Sequence, residues 1–199
     1  MDDFPIETHP FAPVLPPHAR VMMMGTFPPA AAKRCMAFHY PNFQNDMWRI
    51  YGLVFFNDAG YFQVAGEKRF DPGKIRDFLM AHNIALCPTV RRAVRERGNA
   101  SDKFLRIVEP VDLGAVLAQL PDCRWLFTTG GKATETLLSL LEPAPPMPPV
   151  NQAVAFDYHG RHLQLCRLPS SSRAYPLTLA AKAAAYRAFF ERSGVLPLS

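Results

Sequence analysis

The sequence predicts an α/β domain built on a mainly parallel central sheet. Three observations lead there. Short apolar runs, "VMMM", "IALC" and "WLFTT", recur along the chain at lengths that suit buried strands. Segments with apolar residues at helical spacing lie between and after them. Strands alternating with helices pair side by side in parallel, with a helix on each crossover.

Taken in order, residues 1–19 are rich in proline and read as an extended N-terminal arm lying on the domain, and residues 20–199 as a single domain. Arg20 to Gly25 is the first strand. In "NDMWRIYGLVFFND" (45–58), Met47, Ile50, Tyr51, Val54 and Phe55 share a helical face. "DPGKIRDFLMAHN" (71–83) opens with Asp71 as a cap and Pro72 in the first turn, the signature of a helix start. "IALC" (84–87) is a second strand, ended by Pro88. "VRRAVRERGNASDKF" is basic and breaks at Gly98; Arg91, Arg92, Arg95 and Arg97 form either a solvated helix face, the default, or a face that tracks phosphates.

"DLGAVLAQLP" (112–121) is helical, "RWLFTT" (124–129) is a strand broken by Gly130 and Gly131, and "KATETLLSLLE" is the helix after it. "PAPPMPP" (143–149) is a short linker inside the domain. "AVAFDYHGRHLQLCRLP" alternates around His159-Gly160 as a hairpin does. "SSSRAYP" is a loop, and "LTLAAKAAAYRAFFERSG" is a terminal helix ended by Gly194. No internal repeat is visible.

A hydrophobic content of 49% over 199 residues is ample for one core. The net charge of +5 and a pI of about 9.2 have the sign that a nucleic-acid partner needs, without requiring one. Cys35, Cys87, Cys123 and Cys166 lie far apart with no C-x-x-C pair, which favours buried thiols in a reducing cytosol over a local metal or redox motif. The start, "MDDFPIETHPF", is acidic and proline-broken, unlike a signal peptide, and no apolar run reaches the length of a membrane span. The expectation is a soluble, cytoplasmic monomer with no membrane partner, metal or other cofactor.

In parallel sheets the ligand site lies beyond the carboxyl ends of the strands. The segments there are 25–45, 87–92, 129–132 and 168–173. "GTFPP" (25–29) is either a stiff turn or a rigid loop presenting backbone groups; it lacks the phosphate-loop pattern. "FHYPNFQND" interleaves aromatics with amides, which suits a flat heterocycle: rings stack on its face and amides meet its edge. The plain alternative packs Phe38, Tyr40 and Phe43 in the core and uses Asn42 and Asn45 as caps. "LPSSSR" (168–173) can hold phosphates, wedge against a duplex, or form an ordinary polar turn. "TTGGKA" (128–133) sets Lys132 at a helix start, where an anion can sit or helix and strand can pack closely. His39, His159 and His162 show no metal spacing, and no Ser–His–Asp order stands out.

In this order and spacing, "GTFPP" and "LPSSSR" resemble the first and late motifs of the uracil-DNA glycosylase superfamily. "YPNFQNDMWR" (40–49) and "IALCPTVRRAVRERGNASD" (84–102) are most similar to the hypoxanthine-DNA glycosylase branch and to the single-strand-selective monofunctional uracil glycosylase-like proteins. The resemblance runs over about residues 20–192. It implies a three-layer α/β/α sandwich and an enzyme that flips a damaged base and hydrolyses its N-glycosidic bond.

The family's water-orienting acid or amide would fall at Phe27, which can do neither. The branch that lacks it uses a slightly later Asn, matched by Asn45 in "QNDMW"; Asp46 beside it is expected to cap the following helix. The resemblance further implies base contacts from Gly25, Thr26, Phe27, Tyr40 and Pro88, with Phe38 as an alternative stacking ring. Pro169, Ser170, Ser171, Ser172, Arg173 and Lys132 would meet DNA. Many uracil-specific members carry an Asn after the second strand, and many a His or Asn opening the late motif; this chain has Cys87-Pro88-Thr89 and Leu168. The expected function is a monofunctional DNA glycosylase of base excision repair acting on DNA with a deaminated base: uracil first, hypoxanthine or xanthine next. The alternatives are an inert binder of damaged or single-stranded DNA, and a nucleoside or nucleotide hydrolase.

Overall fold

Val21 and Met23 pack into one hydrophobic core while Met22 and Met24 pack into another, which is why "VMMM" is apolar at every position. The computed structural model describes residues 4–96 and 102–198. Its strands and helices are β1 (Ile6–Thr8), β2 (Val21–Met24), α1 (Met47–Phe56), α2 (Pro72–Ala81), β3 (Ile84–Leu86), β4 (Val90–Arg95), β5 (Leu105–Pro110), α3 (Leu113–Ala118), β6 (Trp125–Thr129), α4 (Gly131–Leu138), β7 (Ala153–Tyr158), β8 (Arg161–Leu168) and α5 (Leu179–Arg192).

The main sheet has five strands in the order β3-β2-β6-β8-β7. All its pairings are parallel except that of β7 with β8. On one face, α1, α2 and α5 bury Trp48, Tyr51, Phe78 and Phe190 against Val21, Met23 and Phe127. On the other, α3 and α4 bury Leu117 and Leu137 against Met22, Leu126 and Leu165. The result is the expected three-layer α/β/α sandwich with a mainly parallel sheet.

Local chemistry sets the element ends. Asp71, Asp112 and Thr178 cap α2, α3 and α5 by accepting from the N–H groups of Lys74, Ala115 and Ala181. The β7–β8 hairpin turns through His159 and Gly160, both with positive φ (47° and 76°), as a tight two-residue turn requires.

One region departs from the sequence expectation. Residues 90–95 form strand β4, not a solvated helix face. It joins β1 and β5 in a second, antiparallel sheet of three strands, so the 1–19 segment is partly stitched into the fold. Val90, Ala93 and Val94 are buried there. Arg95 is also buried, paired with Glu7 through Nε and Nη2 at 3.0 and 3.2 Å, so it is no phosphate-tracking side chain. Arg91 and Arg92 stay exposed or half-buried beside Glu109. Arg97 and Gly98 lie outside the described residues. Among the described residues, no helix is long and apolar enough to cross a membrane.

Candidate functional site

From β2 the chain reaches β3 on one side, and β6 lies on the other, so a crevice opens where the strand order reverses. A cavity of about 120 Å³ occupies it, lined by Gly25, Thr26, Phe27, Tyr40, Asn45, Pro88, Thr129 and Ser170 with their neighbours. All four strand-end segments singled out in the sequence contribute.

The loop after β2 is fixed through its carbonyls. Gly25 O accepts from both the N–H and the hydroxyl of Thr89 (2.8 and 2.9 Å). Pro28 O accepts from Arg95 Nη2 (2.9 Å), and Pro29 O from Arg34 Nε (2.8 Å). The Gly25 carbonyl is thus engaged by Thr89. Gly25 is required for space: a Cβ there would lie 2.4 Å from the Tyr40 hydroxyl oxygen. Tyr40 itself has φ 51°, an unusual conformation for a non-glycine residue, and its hydroxyl shares a 2.7 Å hydrogen bond with Thr129 Oγ1.

At the start of α1 the capping bond expected of Asp46 is made by its neighbour Asn45. Asp46 occupies the N-cap position, but its side chain does not cap. Asn45 Oδ1 instead accepts from the Met47 N–H at 2.9 Å. The Asp46 carboxylate faces inward to Lys182 Nζ (3.0 Å), with Arg173 Nε at 3.6 Å. Both Asp46 and Lys182 are buried, at 8% and 1% side-chain exposure, so each charge needs the other. Lys182 also donates to Ser172 O (2.8 Å), and the Asp46 N–H donates to Ser171 O (3.0 Å), locking the late loop to the Asn45 turn. Arg49 and Trp48, which sequence reasoning did not assign, brace the same turn. Arg49 Nη1 donates to Phe43 O and Asn45 O (2.7 and 3.1 Å), and Trp48 Nε1 donates to His39 O (3.0 Å).

Other expected contacts lie elsewhere. Phe38 is a core residue, 1% exposed and beside Trp48, and does not line the cavity, so it is no alternative stacking ring. Pro169 is buried, its carbonyl accepting from Tyr186 Oη (2.9 Å), and Ser171 is 2% exposed. Those two hold the late loop rather than offer it to a strand, leaving Ser170, Ser172 and Arg173 with surface. Lys132 lines a separate hollow of about 200 Å³ that shares Ser170 with the cleft. Arg167, missed in the sequence because it sits within a strand, lines that hollow too, and among the described residues its buried Nε has no hydrogen-bond partner.

Two histidines also line the cleft, His39 and His9, the latter from the N-terminal segment. Burial is the main cause that pushes each imidazole down to about 4, so both are neutral at pH 7. Nothing in the local sequence marks His9; the β1–β4 pairing brings it there. Burial raises the Cys87 thiol to about 12 and the Cys123 and Cys166 thiols to about 11, which suppresses thiolate chemistry.

No protein-family model matches the chain, and no curated protein matches it. A solved structure does. The solution NMR structure of a putative uracil DNA glycosylase from Methanosarcina acetivorans matches with a TM-score of 0.65, over 95% of this chain and 99% of that one, at 20% identity. The chain has a uracil-DNA glycosylase-like fold. At that identity the likeness extends to the arrangement of strands and helices.

Proposed function

We propose that this protein is a monofunctional DNA glycosylase that hydrolyses the N-glycosidic bond of a flipped, deaminated base, uracil first and hypoxanthine or xanthine next, in base excision repair. The observation that carries this is the position of Asn45. Its amide lines the strand-end cleft, oriented by the Met47 N–H, and opposite loops present Gly25 to Phe27 and the Tyr40 ring to the same cavity. A carbonyl oxygen has two lone pairs, so Asn45 Oδ1 can accept from Met47 and from a water at once.

In the reaction the C1′–N bond breaks, and the base leaves with the bonding pair and is protonated from solvent. The water oxygen bonds to C1′ and its proton passes to solvent. Asn45 positions that water; a neutral amide does not deprotonate it. Asp46 is not the base, since its carboxylate is engaged by Lys182. That ion pair also keeps Lys182 from forming a Schiff base, so the product is an abasic site in an unbroken strand. Tyr40 would lie against the base, with the Thr26 and Phe27 backbone and Pro88 at its edge. Ser170, Ser172, Arg173, Lys132 and Arg167 would meet the DNA backbone. Flipping costs a few kcal/mol, least where the base is unpaired, so single-stranded or mispaired substrates are favoured.

A specific observation favours a second reading, a catalytically weak binder of damaged DNA: Leu168, at the opening of the late loop, is 1% exposed and offers no polar group to a leaving base. Oligonucleotides carrying uracil, hypoxanthine or xanthine, incubated with the protein and treated with alkali, separate the cases. A glycosylase gives alkali-dependent strand cleavage. The weak binder gives binding without cleavage, and turnover of free deoxyuridine instead would indicate a nucleoside hydrolase.

A further inference from the structure

The N-terminal segment carries a side chain into the cleft and is anchored on both sides of it. β1 pairs with β4, the His9 N–H donates to Arg91 O at 2.8 Å, and Val14 bridges to Leu86. Between these anchors the His9 ring packs edge-on against Phe27, centroids 5.3 Å apart, and lies 5.4 Å from His39. Most other polar side chains of the cavity are engaged. His39 Nε2 donates to Ala12 O (2.8 Å), Tyr40 and Thr129 share a bond, and Asn42 Oδ1 accepts from the Gln44 N–H. His9 is held through Nδ1 alone, and among the described residues its Nε2 has no hydrogen-bond partner.

We infer that His9 reads the polar edge of the base that enters the cleft, through Nε2. This rests on the reading that an extruded base occupies the cavity, not on hydrolysis of that base. The contacts of Nδ1 set what Nε2 can do. Phe11 offers its carbonyl and its N–H to Nδ1, both at 3.2 Å. When Nδ1 carries the proton it donates to Phe11 O, and Nε2 is an acceptor. When Nε2 carries the proton, Nδ1 accepts from the Phe11 N–H, and Nε2 is a donor. Either tautomer keeps a partner, so His9 can meet a carbonyl oxygen or a ring N–H. Deamination puts both on a base edge: an exocyclic amine becomes a carbonyl and the neighbouring ring nitrogen gains a proton. The ring stays neutral at pH 7, with burial, His39 and Arg34 all acting against its protonation. One reader that serves both polarities predicts uracil and hypoxanthine handled within about ten-fold of each other, in contrast to a site of fixed polarity.

The test uses the full chain and a single-stranded oligonucleotide with one 2′-fluoro-2′-deoxyuridine, which resists hydrolysis, against the same strand with deoxycytidine. The His9 Nε2 nitrogen resonance should move with the analogue and not with the control. His9→Phe keeps a ring against Phe11, Phe27 and His39, so its melting temperature should hold while affinity for the analogue falls about ten-fold. His9→Gln, which can also donate or accept, should stay within about three-fold. An unmoved resonance, or a His9→Phe protein that binds like the wild type, overturns the assignment. If the analogue engages His9 but a cleavable uracil strand is left intact, the glycosylase reading falls and His9 stands. If His9→Phe binds and cleaves like wild type, His9 falls and the glycosylase reading stands. Failure of the wild type to bind the analogue overturns both.

Discussion

The two walls of the cleft are held by different physics. The wall after β2 is set by backbone geometry and several separate hydrogen bonds: Gly25 makes room for Tyr40, Thr89 and the Glu7-paired Arg95 hold the loop carbonyls, and neutral His9 and His39 pack beside them. The opposite wall, the Asn45 turn and the late loop, is set by one buried ion pair, Asp46–Lys182, with the loop carbonyls drawn onto it. A wall of many separate contacts loses them one at a time. A wall hung on a single buried pair fails together, because either charge left alone in the interior is costly.

At neutral pH, breaking the Asp46–Lys182 pair should have the largest effect of these substitutions on stability. Lys182→Met removes the hydrogen-bonded partner of buried Asp46, leaving the more distant Arg173 and Arg49, and should cost about 3–5 kcal/mol of unfolding free energy in denaturant titrations. Adding Asp46→Asn to Lys182→Met should restore much of that loss; no recovery in the double variant would mean the pair is not what holds this wall.

Acid should act mainly on the wall after β2, through its two neutral histidines. The folded His9 and His39 refuse protons until about pH 4, whereas the unfolded chain takes them up near 6.5. Their contribution is complete above pH 6.5 and is lost as pH falls toward 4, at up to about 1.4 kcal/mol per unit for each group. His9→Phe should flatten the stability curve between those values, and an unchanged slope would show that His9 is not held neutral.

Gly25→Ala places a methyl against the Tyr40 hydroxyl and should destabilise by about 1–3 kcal/mol, detaching Tyr40 from Thr129. Tyr40→Phe keeps the ring and loses only that hydrogen bond, so about 1 kcal/mol is expected by thermal unfolding. If it matched Gly25→Ala in cost, the hydroxyl and not the ring would organise this wall.

Much of the fold was legible because the core strands are largely buried on both faces: "VMMM" and "IALC" are apolar throughout, "WLFTT" is apolar over its first three residues, and periodicity and capping residues such as Asp71 mark the helices between them. β4 and β5 were not, since β4 ("VRRAVR") mixes arginines with apolar residues without a clean alternation and makes sense only beside β1 and β5, to which no local pattern points. The site divides the same way. Strand ends located the cleft and its segments, but side-chain commitments depended on distant partners. The role of Asp46 is fixed by Lys182, 136 positions away, and His9 enters the cleft only through sheet pairing. The same distance hid the burial of Pro169 and Ser171, which read as exposed loop until Tyr186 and Asp46 were in place.

The most direct measurement is single-turnover base release from a single-stranded uracil oligonucleotide by the wild type and by Asn45→Ala. The account predicts alkali-labile sites with the wild type and release slowed about 100-fold or more in the variant, with strand affinity within a few-fold, since a positioned hydrogen-bonding group of this kind acts on the barrier. Equal rates in the two proteins would contradict it, and would leave Asn45 as nothing more than the cap of α1.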